Sequence, residues 1–336
     1  SLAYAISVIA TTEKDPEKRK KEFLRARSLA ARAKELGANS ERIQLMLEII
    51  PADGNMSLPA ASEKRSPAED ALFEGEAAFA KGEMERAIEH YERALKLEPK
   101  LYEAPLFIGD AYYKMGKNDK AYESYARAVA IDPDRDTAYR YWGNVLMRGD
   151  KLKEAKEKLI EAVVAAPYTR LPWQFLGNWA KLSRVQLGHP RIEPSGSMSV
   201  EKDKTSITID PNSIDKNDGS AMWMLYHTTR SQWIKEKFAK EFPDEKDYRH
   251  SLREEVEALG VVARITSESV KNGKMKEKDL DPSIANLLKV HNAGLLEAYV
   301  LLAKPDAGIA RDYVEYRKNN RDKLRRYLSE YVTSGK

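Results

Sequence analysis

Residues 68–101 read AEDALFEGEAAFAKGEMERAIEHYERALKLEPKL, residues 102–135 read YEAPLFIGDAYYKMGKNDKAYESYARAVAIDPDR, and residues 136–169 read DTAYRYWGNVLMRGDKLKEAKEKLIEAVVAAPYT. Laid one above another, the three segments share small residues at fixed places. These are Gly75, Gly109 and Gly143; Ala87, Ala121 and Ala155; Ala94, Ala128 and Ala162; and the closing Pro99, Pro133 and Pro167. Gly177 continues the glycine column at the same spacing of 34 residues. Given the first glycine, three more in register arise by chance about 3 times in 10,000 at average glycine usage. The alanine and proline columns make coincidence untenable. A period of this size marks stacked supersecondary units, none of which can bury its apolar face alone.

Each column has a physical reason. The glycine and the two alanines are small where antiparallel helices approach one another closely. Tyr91, Tyr125 and Leu159 fill the gaps in one column, and Ile108, Trp142 and Leu176 in another. The proline cannot continue a helix and starts the turn into the next unit. Gly82 and Gly116 supply the tight turn inside the first two hairpins, and the third has Asp150 in that slot, preceded by Gly149. These residues resemble the tetratricopeptide-repeat (TPR) family in period and in their small, large and proline pattern. The resemblance implies an all-α, helical-hairpin solenoid with three full repeats at about 68–101, 102–135 and 136–169. A half-repeat at 170–185, with Trp173, Leu176 and Gly177, caps it.

The rest of the chain reads differently. Residues 1–50 suggest a degenerate helical hairpin: an apolar start (Leu2, Ile6, Ile9), a break near Asp15–Pro16, a charged helix to Lys34 with a stop at Leu36–Gly37, and a short helix from Glu41 to Ile50. Residues 51–67, rich in Pro, Gly, Ser and Ala, read as a linker. From 186 to 336 a mostly helical domain follows, with no family resemblance. Alternation in Ser197–Val200 and Thr205–Ile209 predicts a small β-hairpin near 197–209. Helical patterns then run at about 219–241, 247–271, 283–303 and 308–333. The third carries the stripe Ile284, Leu288, His291, Leu295, Ala298 and Leu302, and the fourth a face of tyrosines.

Composition narrows the function. Of the 336 residues 33% are charged and 42% apolar, a balance that excludes wholesale disorder. The net charge of +4 is too even to argue for nucleic acid or membrane. The chain has no cysteine, so disulfides, thiolate nucleophiles and cysteine zinc sites are excluded. No apolar run approaches the roughly 20 residues of a membrane-spanning helix, and no membrane insertion is expected. The opening at Ser1, without Met, suggests a trimmed start, so a compartment is not assigned: cytoplasmic, or exported after loss of a signal not present in this chain.

No catalytic signature emerges, and no cofactor or metal is expected. The five histidines form no helical ligand pair, and His291 reads as a hydrogen-bonded core residue. The segment Asp215–Gly219 fails as a calcium loop, since Ile214 and Leu225 stand where acids are needed. Phosphate loops, nucleophile elbows and dinucleotide fingerprints are missing. The last helix is basic, with Arg317, Lys318, Arg321, Lys323, Arg325 and Arg326 interleaved with tyrosines; it reads as a solvated face suited to the helix dipole, with tracking of a phosphate backbone as the lesser alternative. An enzyme or small-ligand site near Trp223, His227 and Arg230, with the repeats as scaffold, is the alternative.

The leading expectation is a non-enzymatic adaptor that binds an unidentified protein or peptide. The TPR resemblance implies that each repeat's first helix lines the concave face through its second, fifth, ninth, twelfth and thirteenth positions. These are Glu69, Leu72, Glu76 and Phe79; then Glu103, Leu106, Asp110, Tyr113 and Lys114; then Arg140, Asn144, Met147 and Arg148; and in the half-repeat Gln174, Asn178 and Lys181. The groove so drawn is acidic and apolar at one end, basic and amide-rich at the other. Asp110, Tyr113, Arg140, Asn144, Arg148, Gln174 and Asn178 are the expected peptide contacts. Asn144 and Asn178 offer paired donors and acceptors to a backbone, and Arg140 and Arg148 suit a carboxylate. A TPR subfamily that grips chaperone carboxylates has Lys and Asn where the first repeat here has Leu72 and Glu76, which argues against that partner. A C-terminal segment folded into the groove would instead leave the repeats purely architectural.

Overall fold

The computed structural model describes residues 15–35, 41–56, 65–201, 204–209, 211–213 and 216–334, with residues 7, 10 and 13. The apolar N-terminal stretch, the stop at Leu36–Gly37 and the Asp215 segment lie outside these residues or only partly within them. The chain divides into two compact units, residues 1–149 and 150–336.

In the first unit, α1 (Pro16–Glu35) and α2 (Glu41–Ile49) bury Phe23, Ala26, Ala30, Ile43, Met46 and Ile50 together. Asp15 ends the chain's approach and starts α1 by accepting from the Glu17 amide at 2.9 Å. The repeat region opens at α3 (Pro67–Lys81), where Ser66 accepts from Glu69 N and the Glu69 carboxylate reaches back to Ser66 N at 2.7 Å. This reciprocal cap satisfies two donors that a bare helix start would leave unpaired. Then come α4 (Met84–Leu97), α5 (Glu103–Lys114), α6 (Asn118–Ile131) and α7 (Asp136–Arg148). Gly82 and Gly116 turn the first two hairpins with φ of +85° and +75°. Asp150 holds the same left-handed conformation at +56° in the third. Aspartate tolerates it better than most residues with a Cβ.

Tyr102 ties one repeat to the next. Its ring lies 4.0 Å beneath the Arg135 guanidinium, its hydroxyl accepts from Ala138 N at 2.9 Å, and Arg135 pairs with Glu103 at 2.9 Å. A first-turn donor of α7 is thereby satisfied by the preceding repeat.

The second unit begins with α8 (Leu152–Ala165) and α9 (Arg170–Ser183). The predicted hairpin is β1 (Ser197–Val200) paired antiparallel with β2 (Thr205–Thr208), Ser197 opposite Thr208 and Val200 opposite Thr205. The helices α10 (Trp223–Gln232) and α11 (Phe238–Glu241) join through a wider turn at Trp233–Lys237. They are followed by α12 (Leu252–Lys271), α13 (Pro282–Asn292), α14 (Leu296–Ala303) and α15 (Tyr313–Tyr327). The helix expected over 283–303 is thus two. Gly294, at φ +70°, ends the first, and its amide and that of Leu295 return to His291 O and Val290 O. No helix among the described residues is long and apolar enough to cross a membrane.

Candidate functional site

The glycine and tyrosine columns explain one another in the first two repeats. A Cβ built on Gly75 would stand 2.4 Å from the ring of Tyr91, and one on Gly109 would stand 2.5 Å from the ring of Tyr125. Each glycine is a seat for an aromatic ring from its own repeat's second helix. The seated rings then reach an acid one residue beyond the glycine: Tyr91 donates to Glu76 at 2.8 Å and Tyr125 to Asp110 at 2.7 Å. Burial first, and the neighbouring carboxylate second, push the Tyr125 hydroxyl far above the usual tyrosine range, so it stays a donor. The ninth-position acids are therefore engaged inside the repeats. This tie was missed from sequence, although its fixed separation of 15 residues recurs in both repeats.

Other expected contacts divide by exposure. Arg140 is buried, paired with Asp136 one turn earlier and bonded to Thr137 Oγ1 at 3.3 Å. Its charge is met within α7. Tyr113, Asn144 and Met147 are half-buried, and Lys114 and Arg148 are exposed. Leu106 belongs to the core. In the second unit, Gln174, Asn178 and Lys181 are exposed on α9. A Cβ on Gly177 would meet nothing within 4 Å. The glycine column continues there without its ring, because no second helix follows α9 in register.

The sequence profile of the tetratricopeptide-repeat family matches residues 78–165. Residues 78–165 are tetratricopeptide repeats. Among solved structures, the Sgt2 TPR domain of Aspergillus fumigatus is 24% identical, covers 35% of this chain and 81% of its own, and superposes with a TM-score of 0.33. MamA residues 41 to the end, from Desulfovibrio magneticus RS-1, is 21% identical over 49% of this chain and 85% of its own, with a TM-score of 0.31. The first TPR domain of Spaghetti (RPAP3), solved with an HSP90 peptide, is 22% identical over 35% of this chain and 93% of its own, with a TM-score of 0.32. No curated protein matches this chain.

The C-terminal helix leaves Gln174, Asn178 and Lys181 of α9 exposed. It lies against α8: Tyr313 donates to Val164 O at 2.6 Å, Arg317 reaches the carbonyls of Val164 and Ala165, and Arg321 and Arg325 pair with Glu161 at 2.9 and 3.0 Å. Arg317 is buried over the C-terminal carbonyls of α8, where a cation suits the dipole of that helix. Lys318 pairs with Glu315 and Arg326 with Glu330. The basic helix expected to be a solvated face is, over Arg317 and Arg321, an internal strut.

Trp223, His227 and Arg230 each have their own surroundings. Trp223 borders a cleft of about 350 Å³ with Asp218, Ser220 and Asp281. His227 Nε2 lies 2.9 Å from Ser195 O. Arg230 Nε donates to Glu254 at 2.9 Å within a polar cluster built on the buried Glu254 and Glu255. There Tyr226 and Tyr248 donate to Glu255 and Glu254, each at 2.8 Å, and His250 bridges Glu255 at 3.0 Å and Asp306 at 2.6 Å. Sequence reading passed over His250. No group of three or more acidic or histidine side chains suits a metal ion among the described residues.

His250 makes a pH prediction. Burial pulls its pKa down, and Arg230 also lowers it. The hydrogen bonds to Glu255 and Asp306 and the charge of Glu255 outweigh both, leaving it above the ordinary 6.5. A raised histidine contributes stability that is complete below about 6.5 and is lost as pH rises through its folded value. The urea midpoint of the full chain should therefore decline above that pH. His250→Gln, which keeps a donor without the titration, should flatten the decline; an unchanged slope would refute the assignment.

Proposed function

We propose that the protein is an adaptor that binds a peptide or protein segment along the first helices of its TPR array, and that it acts by binding and not by catalysis. One observation carries this reading. In the first unit the acids at the ninth position are bonded to tyrosines, whereas the exposed cations Lys114 and Arg148 stand beside half-buried Tyr113 and Met147. The half-buried carboxamide of Asn144 lies one turn before Arg148 on the same helix. A face with spent acids, available cations and partly covered apolar side chains suits an acidic segment carrying an apolar anchor. Gln174, Asn178 and Lys181 offer a second polar face of the same register on α9. Arg140 serves to hold α7, and Asp110 to hold Tyr125.

The test is binding of fluorescent acidic and basic peptides of equal length to the full chain, read by anisotropy at two salt concentrations. Acidic peptides should bind more tightly, and less so at high salt. Lys114→Glu with Arg148→Glu should weaken capture by at least about tenfold, near 1.4 kcal/mol, with the thermal midpoint unmoved because both side chains are exposed. Equal affinity for both peptide classes, or no loss in the double variant, would overturn the reading.

A further inference from the structure

Helix α9 has the columns of a first helix and no second helix to cover it. The chain turns at Arg184, with φ at +54°, and runs on to β1 without another helix. On its way it covers one end of α9, where the rings of Trp173 and His189 meet edge-on at 5.8 Å. It leaves Gly177 open, since an added Cβ there would meet nothing within 4 Å. In the first two repeats the same column holds a tyrosine ring, at 2.4 and 2.5 Å from such a Cβ. Glycine weakens a helix interior, and its benefit is the close approach it permits. At Gly177 nothing among the described residues makes that approach.

The residues around the opening define what fits it. Asn178 follows Gly177 as Glu76 follows Gly75 and Asp110 follows Gly109, and those two acids take the hydroxyl of the seated tyrosine at 2.8 and 2.7 Å. Asn178 is exposed and has no hydrogen-bond partner among the described residues, and its carboxamide oxygen can accept the same phenol. The spacing of seven and four residues sets Arg170, Gly177 and Lys181 along one line of the helix, with Asn178 and Leu182 on its flank. Leu182 is 60% exposed. No residue of α9 is acidic, and its exposed Arg170 and Lys181 form no salt bridge among the described residues. The complement of this face is a helix with a tyrosine, an apolar side chain and acids on one side. A second copy of the chain brings no such tyrosine from α4 or α6, where Tyr91 and Tyr125 are buried and already bonded.

We propose that an acidic amphipathic helix of another protein docks on α9 and serves as the absent second helix of the half-repeat. Its tyrosine ring lies over Gly177 and donates to the Asn178 carboxamide, an apolar residue covers Leu182, and acids meet Arg170 and Lys181. The acidic segment held by Lys114 and Arg148 is a separate ligand.

The probe is a lactam-bridged helical peptide of residues 118–131, the ring-bearing helix of the second repeat, made acidic by Lys120→Glu and Arg127→Glu. Titrated into the full chain, it should shift the backbone amide resonance of Gly177 and the side-chain amide resonances of Asn178. The same peptide with Tyr125→Ala should bind at least about tenfold more weakly. On the chain, Gly177→Leu fills the opening and should cost at least about tenfold in affinity without lowering the thermal midpoint. Asn178→Ala should make the chain indifferent to Tyr125→Phe in the peptide. Lys114→Glu with Arg148→Glu should leave the titration unchanged, which separates this site from the peptide face of the first unit. No shift at Gly177 or Asn178, full binding by Gly177→Leu, or equal binding of the Tyr125→Ala peptide would overturn the proposal. Dimerisation of the chain that Gly177→Leu abolishes would overturn the choice of occupant and assign α9 to a second copy.

Discussion

Gly109→Ala should destabilise the protein by about 1–3 kcal/mol through overpacking, whereas Gly177→Ala, in the same repeat column, should be neutral or stabilise by up to ~1 kcal/mol. The opposite signs follow from what each Cβ meets. At Gly109 the added carbon stands 2.5 Å from Tyr125 Cε1 and 2.7 Å from Cδ1. The ring cannot retreat cheaply, because it is buried, its hydroxyl is held by Asp110 at 2.7 Å, and Tyr141 stands edge-on at 6.4 Å. At Gly177 the space is open, so the change only trades a flexible helix residue for the best helix former. Urea unfolding followed by circular dichroism measures both. Adding Tyr125→Ala to Gly109→Ala should cost less than the sum of the single changes, since the clash is removed with the ring. Equal stability of Gly109→Ala and the parent would show that the glycine is not a seat for the ring.

That pair also marks what the sequence could and could not reveal. The period of the array was legible because stacking repeats the same contact at the same place, so Gly75, Gly109 and their alanine partners recur visibly. The use of a particular column was not. Gly177 obeys the period but has no ring to receive, because α9 keeps the first-helix column while no second helix follows it in register. Asp110 looked like a peptide contact because it is a polar residue at an inward position; its bond to Tyr125 depends on how two helices face each other. Arg140 could have been read more closely, since Asp136 lies one helical turn before it and such pairs meet on a helix surface.

Beyond the array the legible features were local ones: the β-hairpin from its alternation, and the helices from their apolar stripes. The break at Gly294 was overridden in reading by a stripe that happens to continue in phase across two helices. The role of the basic C-terminal helix was hidden for a different reason. Its partners, Glu161 and the last carbonyls of α8, lie about 150 residues earlier in the chain, and no local pattern reports a contact at that separation. Glu254 and Glu255 looked like ordinary first-turn acids after Ser251, which does cap α12 by accepting from Glu254 N at 3.2 Å. Their burial is a property of the tertiary fold.

That burial sets up the largest single effect expected. Arg230→Met should destabilise the protein by about 3–5 kcal/mol, the usual cost of stranding one partner of a buried ion pair. The Glu254 carboxylate has no solvent exposure and takes its charge-assisted bond from Arg230 Nε at 2.9 Å. Methionine fills much of the volume but leaves that carboxylate with the Tyr248 hydroxyl as its donor. Burial already holds the Glu254 pKa above its ordinary 4.5 against the pull of Arg230, and removing Arg230 raises it further. A carboxyl group with a raised folded pKa favours the native state at low pH and loses that advantage as pH rises. The deficit of Arg230→Met should therefore be smaller near about pH 5 than near about pH 8 when urea midpoints are compared. Glu254→Gln in the same background should recover part of the loss, because a neutral amide can still accept from Tyr248 and no longer buries a charge. A deficit independent of pH, or no recovery from Glu254→Gln, would mean that Arg230 stabilises the fold by packing over Tyr226 and not by meeting the Glu254 charge.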